Sequence, residues 1–291
     1  LATPKIEKVM HNAMYDLGWL RWAGIEVQGP IIDTMIAAPL LNENRRFYNL
    51  NSLTGEYLGE YKNEKMLRAA AAMYHVDPKS DMWRLPSKFV GSYAEQDAAV
   101  TLRLWDRLRV DIKQDEVTSI FELESSLLPV LLEMKTKGVR VDIDGAEKIQ
   151  KDLQKREKKL LEEIRSDTGV AVEPWSAASV AKAFDALGLK YHRTENTDAP
   201  SFTKQFLNNH THPIAQKIVK LREFNKANTT FVETILEHSC NGRIHCDFNP
   251  LRSDEGGTVT GRFSSSHPNL QQIPARDPEI KSMIRGLFLP E

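Results

Sequence analysis

The sequence predicts an α/β layer followed by a mostly helical region that ends in short strands. Three observations predict it. Strand-like and helical apolar patterns alternate up to about residue 112. Two long helices with narrow apolar stripes then flank a loop-rich insert. Last come two strand-like segments around the turn "RSDEGG" (252–257).

In the first region, "IEKVMHNAMYDLGWLRWAG" reads as a strand, a polar turn at His11 and Asn12, and a helix. Its apolar stripe would contain Trp19, Leu20 and Ala23, with Gly24 closing it. "IIDTMIAAPLL" is an apolar segment holding one acid, Asp33, and Ser52 is a candidate cap for a short helix. The long helix after Ser87 carries Tyr93, Ala94, Ala98, Leu102, Trp105 and Leu108 at helical spacing.

The second region opens with an apolar helix interrupted at Pro129 and closed by Gly138. Val139 and Val141 form a short strand, and Asp142 or Asp144 caps a helix running to Gly169. Its stripe is Ala146, Ile149, Leu153, Leu160 and Ile164. A short helix follows from Ser176 to Gly188, then the loop "YHRTENTDAP". The second long helix begins at Pro213 and carries Ile214, Ile218, Leu221, Val232 and Ile235. The two long helices are expected to form an antiparallel pair. "RIHCDFNPL" and "GTVTGRFSSS" are the closing strands.

The chain has 291 residues and a net charge of −1, so bulk attraction to polyanions is excluded. Between Ser201 and Glu291, 11 Lys and Arg face 9 Asp and Glu, so any phosphate contact must come from local placement. No apolar run is long enough to span a membrane. The first residues form no signal peptide and include no initiator Met, so the chain is expected to begin inside a larger protein. Cys240 and Cys246 fit no common zinc spacing and are expected to be reduced thiols of a cytoplasmic protein.

Two pairs draw attention chemically. Asn12 precedes Asp16 by four residues, and Tyr93 precedes Asp97 by four. On a helix, residues four apart share a face. A lone acid in an apolar helix is costly unless paired or bound to a cation, and converging carboxylates suit Mg²⁺. Spacing alone fits surface acids or caps as well.

The third feature is "TVTGRFSSSHPNLQQIPAR" (258–276), a run of hydroxyls, amides and arginines. Gly261 frees the backbone beside Arg262, and Pro268 and Pro274 stiffen the segment. Such donors suit the DNA minor groove, where acceptors occur in every base pair and report pairing geometry without sequence. A polar surface loop would have the same composition.

The motifs are more specific than the composition. "HNAMYD" followed by "YAEQD" resembles the second and third motifs of the DnaQ-like 3′–5′ proofreading exonucleases. That resemblance implies Asp16 and Asp97 as metal ligands, Tyr93 as the residue that orients the attacking water, and Asn12 beside the site. The chemistry implied is two-metal phosphodiester hydrolysis with Mg²⁺. Such sites also need an Asp-x-Glu pair on an earlier strand, which this chain does not contain. The chain alone is expected to bind the ions weakly and to lack exonuclease activity.

"TGRFSSSHPNLQQIPAR" is similar to the signature that precedes the first catalytic aspartate in family A (DNA polymerase I-like) polymerases. By position, Arg262, Asn269, Gln271 and Gln272 would contact the primer–template minor groove, with Arg276 adding a phosphate or groove contact. "KLREFNKANTTF" resembles the family's thumb helix and implies DNA contacts at Lys226 and Thr229. "GVRVDIDG" resembles the strand and turn that open the thumb, and the acidic "RSDEGG" insert resembles phage-type members.

The implied fold is a partial RNase H-like exonuclease domain over 1–112. The N-terminal part of the polymerase domain follows over 113–291, with an α-helical thumb at about 139–238 and the first strands of an α+β palm from about 239. The implied function is template-directed DNA synthesis with proofreading, on primer–template DNA and deoxynucleotides, in a bacterial cell or phage-infected host. The chain ends before the palm aspartate and fingers helix, so it is not expected to polymerise alone. Two alternatives stand beside this: a stand-alone DnaQ-like exonuclease with an added helical domain, and a non-catalytic DNA clamp.

Overall fold

A computed structural model describes residues 1–254 and 256–291. Glu255, within the "RSDEGG" turn, lies outside the described residues. The chain divides into two compact units. Unit 1 comprises Leu1–Lys137 and Cys246–Asn269; unit 2 comprises Gly138–His245 and Leu270–Glu291. These units depart from the division expected after residue 112, because the helix that follows stays with the first unit and so does a late stretch of chain.

Unit 1 begins with β1 (Lys8–Met10), α1 (Ala13–Trp22) and β2 (Ile31–Asp33). β1 and β2 pair in parallel, with Met10 opposite Asp33. The buried residues of α1 are Ala13 and Leu17, whereas Trp19 is 56% exposed and Trp22 81% exposed. The predicted stripe was therefore on the wrong face. The small Ala13 and Leu17 side pack inward, and Tyr15, Trp19 and Trp22 lie edge to face along the outside. α2 (Thr34–Leu41), α3 (Leu50–Leu58) and α4 (Lys65–Tyr74) follow.

α5 (Ser87–Gln114) buries Val100, Leu104, Trp105, Leu108 and Ile112. Leu102, predicted on that stripe, is exposed. α6 (Thr118–Lys137) runs straight through Pro129 where an interruption was expected. The core of this unit gathers Leu17, Ile32, Ile36, Tyr48, Leu53, Leu104, Leu108, Phe121 and Leu128.

Unit 2 opens at β3 (Val139–Arg140) and α7 (Ile143–Thr168). Of the two candidate caps for α7, Asp142 serves: its carboxylate accepts the Gly145 N–H at 2.9 Å. α8 (Ala177–Ala186) is capped by Ser176. The predicted loop at 191–200 is instead a hairpin of β4 (His192–Arg193) and β5 (Pro200–Ser201), followed by α9 (Lys204–Asn209). Phe184, Phe202, Leu207, Ile214 and Ile218 close a core around it. Burying these aromatic and branched side chains is what orders an otherwise polar insert.

α10 (Pro213–Lys226) passes through a π turn at Ala227–Val232 into α11 (Glu233–His238). α7 and α10 run antiparallel, as expected. Lys217 meets Asp167 at 2.8 Å, and further along the Asn225 amide donates to Glu157 at 2.8 Å. β6 (Ser239–Cys240) and β7 (Arg243–Ile244) complete a three-stranded antiparallel sheet with β3.

The chain then returns to unit 1 through β8 (Asp247–Asn249) and β9 (Ser264–Ser266), which pair antiparallel with Phe248 opposite Ser265. The two long closing strands predicted from sequence are thus much shorter. The first breaks between Ile244 and Cys246, and the second starts only at Ser264. Gly257 explains part of this: φ is +91°, and a Cβ there would lie 2.0 Å from the Leu251 carbonyl oxygen. That conformation belongs to a tight turn, not a strand. α12 (Pro278–Arg285) ends unit 2, where Ile280, Ile284 and Leu287 pack with Val141, Leu153 and Val232.

Cys240 and Cys246 are free thiols. Among the described residues, no helix is long and apolar enough to cross a membrane.

Candidate functional site

The site in unit 1 is built on Asp33. This carboxylate sits at the end of β2, is buried, and accepts the N–H groups of Asn12 (3.0 Å), Ala13 (2.7 Å) and Met35 (2.8 Å). One acid therefore pins the starts of both α1 and α2. Burial pushes its pKa up to about 6, against the pull of the three N–H donors. The sequence signal was present, as a lone acid before Thr34 at a strand end, but Asp33 was not among the predicted site residues.

Asn12 lies just before α1 in the left-handed region, with φ +67°. The expectation that Asn12 and Asp16 share a helix face is therefore corrected: Asn12 precedes the helix at its N-cap position, where its side chain makes no capping hydrogen bond. Both residues still line one cleft of about 670 Å³, together with Tyr15, Lys62, Tyr93 and Asp97. Asp16 keeps access to solvent, yet partial burial raises its pKa. Its neighbours on α1 are not uniformly apolar surface, so it is not the isolated buried acid the sequence implied.

On α5, Tyr93 and Asp97 are one turn apart, as predicted. Lys62, from the segment between α3 and α4, reaches both. Its Nζ donates to Asp97 Oδ2 at 2.8 Å and to the Tyr93 hydroxyl at 3.3 Å. Burial lowers the Lys62 pKa, but the Asp97 and Tyr93 contacts outweigh it and the net shift is upward. Burial likewise raises Tyr93, partly offset by Lys62. Sequence reasoning missed Lys62, which stands in no motif.

His11 borders the same cleft, with Nδ1 2.8 Å from the Thr34 hydroxyl. Burial, aided by Lys62, lowers its pKa to about 4. Asp254 also lines the cleft, and its carboxylate accepts the N–H groups of Tyr48 and of Asn49 (3.0 Å) and the Asn49 amide (2.8 Å).

Asp97 Oδ1 is buried and, among the described residues, has no hydrogen-bond partner. That orphaned oxygen and the Asp16 carboxylate fit two ligands of a divalent cation. They do not make a complete cage: among the described residues, no group of three or more His, Cys, Asp or Glu is placed to hold an ion.

The predicted DNA-contact residues lie outside this cleft. In unit 1, Arg262 and Asn269 are exposed, and Arg262 follows Gly261, whose φ is +68°. In unit 2, Gln271, Gln272, Arg276, Lys226 and Thr229 are exposed. The Thr229 hydroxyl donates to the Asn225 carbonyl at 2.9 Å, and Lys226 sits where α10 meets the π turn.

The cleft of unit 1 thus gathers Asp16, Tyr93 and Asp97, and unit 2 is mainly helical. Comparison with known proteins gives the family. The pattern of DNA polymerase family A matches residues 143–291, slightly more than half of the chain, and that of 3′–5′ exonuclease matches residues 1–113. The chain belongs to DNA polymerase family A.

Among its relatives, a DNA-directed DNA polymerase of Pseudomonas phage M6 is 39% identical over 292 residues, covering 96% of this chain and 44% of the relative. DNA polymerase I of Chloroflexus aurantiacus is 29% identical over 311 residues, covering all of this chain and 31% of the relative. The chain thus spans less than half the length of these relatives. A solved structure of the polymerase domain of Pol1 from M. smegmatis, in complex with DNA primer-template and dNTP, superposes with a TM-score of 0.79. It covers 99% of this chain and 46% of the other at 24% identity, and shows the shared fold.

Proposed function

We propose that this chain supplies the proofreading cleft, the thumb and the start of the palm of a DNA polymerase that extends primer 3′ ends on a template and excises mispaired ends. One observation carries the proofreading part: Asn12, Asp16, Tyr93 and Asp97 come from α5 and the start of α1 and line a single cleft. In this reading residues 1–112 belong to the exonuclease domain and 113–291 to the polymerase domain. Primer–template DNA and deoxynucleotides are the partners of the full-length protein.

Asp16 and Asp97 would hold Mg²⁺ together with the Asp-x-Glu pair that the exonuclease resemblance calls for. When bound, the ions supply Lewis-acid charge that stabilises the reacting phosphate. The chain's own residues do the rest. Among the described residues Asp97 keeps one oxygen unengaged, and the Tyr93 hydroxyl, held by Lys62, is available to orient a water. Asn12 sets the turn that brings Asp16 to the cleft. Arg262, Asn269, Gln271 and Gln272 are short donors that suit minor-groove acceptors, and Lys226, Thr229 and Arg276 suit the DNA backbone.

The test uses the full-length protein. Asp97→Ala should abolish excision of a mispaired primer end and spare extension of a matched one. Unchanged excision would remove the proofreading assignment, and loss of both activities would point to misfolding.

A further inference from the structure

Lys62 belongs to no motif of the sequence, yet its ammonium touches both the Asp97 carboxylate and the Tyr93 phenol of the cleft. Its ammonium bonds Asp97 Oδ2 and the Tyr93 hydroxyl at once, and lies 5.2 Å from the Tyr93 ring centroid. Its backbone is held too. The Lys62 N–H donates to Asn51 Oδ1 at 2.9 Å, and the next N–H, of Asn63, donates to Gln96 Oε1 at 3.2 Å, on α5 beside Asp97. A lysine that merely covered surface would be restrained at neither end, because free rotation of its long side chain is favoured by entropy.

From this two-ended restraint we propose that Lys62 is a positioning residue of the cleft: it fixes the Asp97 carboxylate and the Tyr93 hydroxyl as one unit and competes with a divalent cation for Asp97. The inference rests on the proofreading reading above. It makes a prediction that a structural lysine would not. Removing the ammonium frees Asp97 Oδ2 and takes away a neighbouring positive charge, so cation affinity rises. The same change lets Asp97 and Tyr93 move apart, so excision slows. Loss of structure would lower both.

The probe is Mn²⁺, titrated into this chain and followed by electron paramagnetic resonance. Excision of a single-stranded oligonucleotide is measured in parallel with the full-length protein. Lys62→Met should bind Mn²⁺ about fivefold more tightly, which corresponds to ~1 kcal/mol, while excising several-fold more slowly. Lys62→Arg should restore both values toward those of the unsubstituted protein. Unchanged or weaker Mn²⁺ binding in Lys62→Met overturns the proposal, as does a Lys62→Arg protein that behaves like Lys62→Met. Should Lys62→Met fail to fold, Lys62→Gln carries the same expectation. Asp97→Asn separates the two readings. If it weakens Mn²⁺ binding while Lys62→Met leaves it unchanged, only the Lys62 inference fails. If Asp97→Asn has no effect on Mn²⁺, the metal-binding reading of the cleft fails and the Lys62 proposal falls with it.

Discussion

His11 should make unit 1 sensitive to acid, in a way that Asp33 conceals. With the Thr34 hydroxyl donating to the Met10 carbonyl at 3.2 Å, His11 Nδ1 carries the ring proton. Nε2 is then a buried acceptor that finds no partner among the described residues. Protonating it places charge in a buried site near Lys62, which is why the pKa falls from 6.5 to about 4. Between those values the unfolded chain binds more protons than the folded one, so stability rises with pH. At ~1.4 kcal/mol per pH unit, the full penalty below pH 4 is about 3 kcal/mol. Asp33 acts oppositely. Its folded pKa is about 6 against an ordinary 3.8, so the folded state binds the extra proton and stability falls as pH rises through that window. The two effects nearly cancel between pH 4 and 6. His11→Gln removes one of them, and its stability should then decline by up to about 3 kcal/mol from pH 4 to pH 6, while the parent stays nearly flat. Urea midpoints across the pH series measure this, and NMR titration of the His11 ring checks the cause. A ring that titrates near 6.5, or a variant as flat as the parent, would refute the reasoning.

Other outcomes follow from the same contacts. In the full-length protein, Arg262→Ala should depress extension from a primer end far more than duplex affinity; equal losses in both would argue against a groove role. Lys226→Ala should weaken DNA binding and reduce its salt dependence by about one ion, measured by fluorescence anisotropy over a salt series. Asp142→Ala removes the cap of α7 and should cost ~1 kcal/mol in urea unfolding. Phe184→Ala, in the fully buried centre of the unit 2 insert, should cost about 3–5 kcal/mol, and a loss under 1 kcal/mol would show that this cluster is not a packed core.

What was readable in the sequence was mostly local. The caps at Asp142 and Ser176, the stop at Gly169 and the stripe of α7 depend on residues within a few positions of one another. The spacing of Tyr93 and Asp97 was readable for the same reason. Failures arose where partners are distant. Trp19 fitted an apolar stripe, but burial of α1 is decided by which face meets α6 and β2, and that face carries Ala13 and Leu17. The β4–β5 hairpin shows no alternation, and it forms because Phe184 and Phe202 close over it. Residues 246–269 join unit 1 partly through Asp254, whose hydrogen bonds span about 205 positions of sequence. Lys62 meets Asp97 across 35 positions with no spacing rule to announce it.

The wide turn between α10 and α11 changes how this stretch can be compared with its relatives. A π turn accommodates one residue more than an α turn, so everything after it is rotated by about 100° relative to an unbroken helix. Ile235 lies beyond this turn and is buried. An alignment that carries a single-residue gap here marks where a relative lacks the extra residue, and trimming one residue between Ala227 and Val232 should close the wide turn to an α turn while leaving Ile235 in the cluster that holds Leu153.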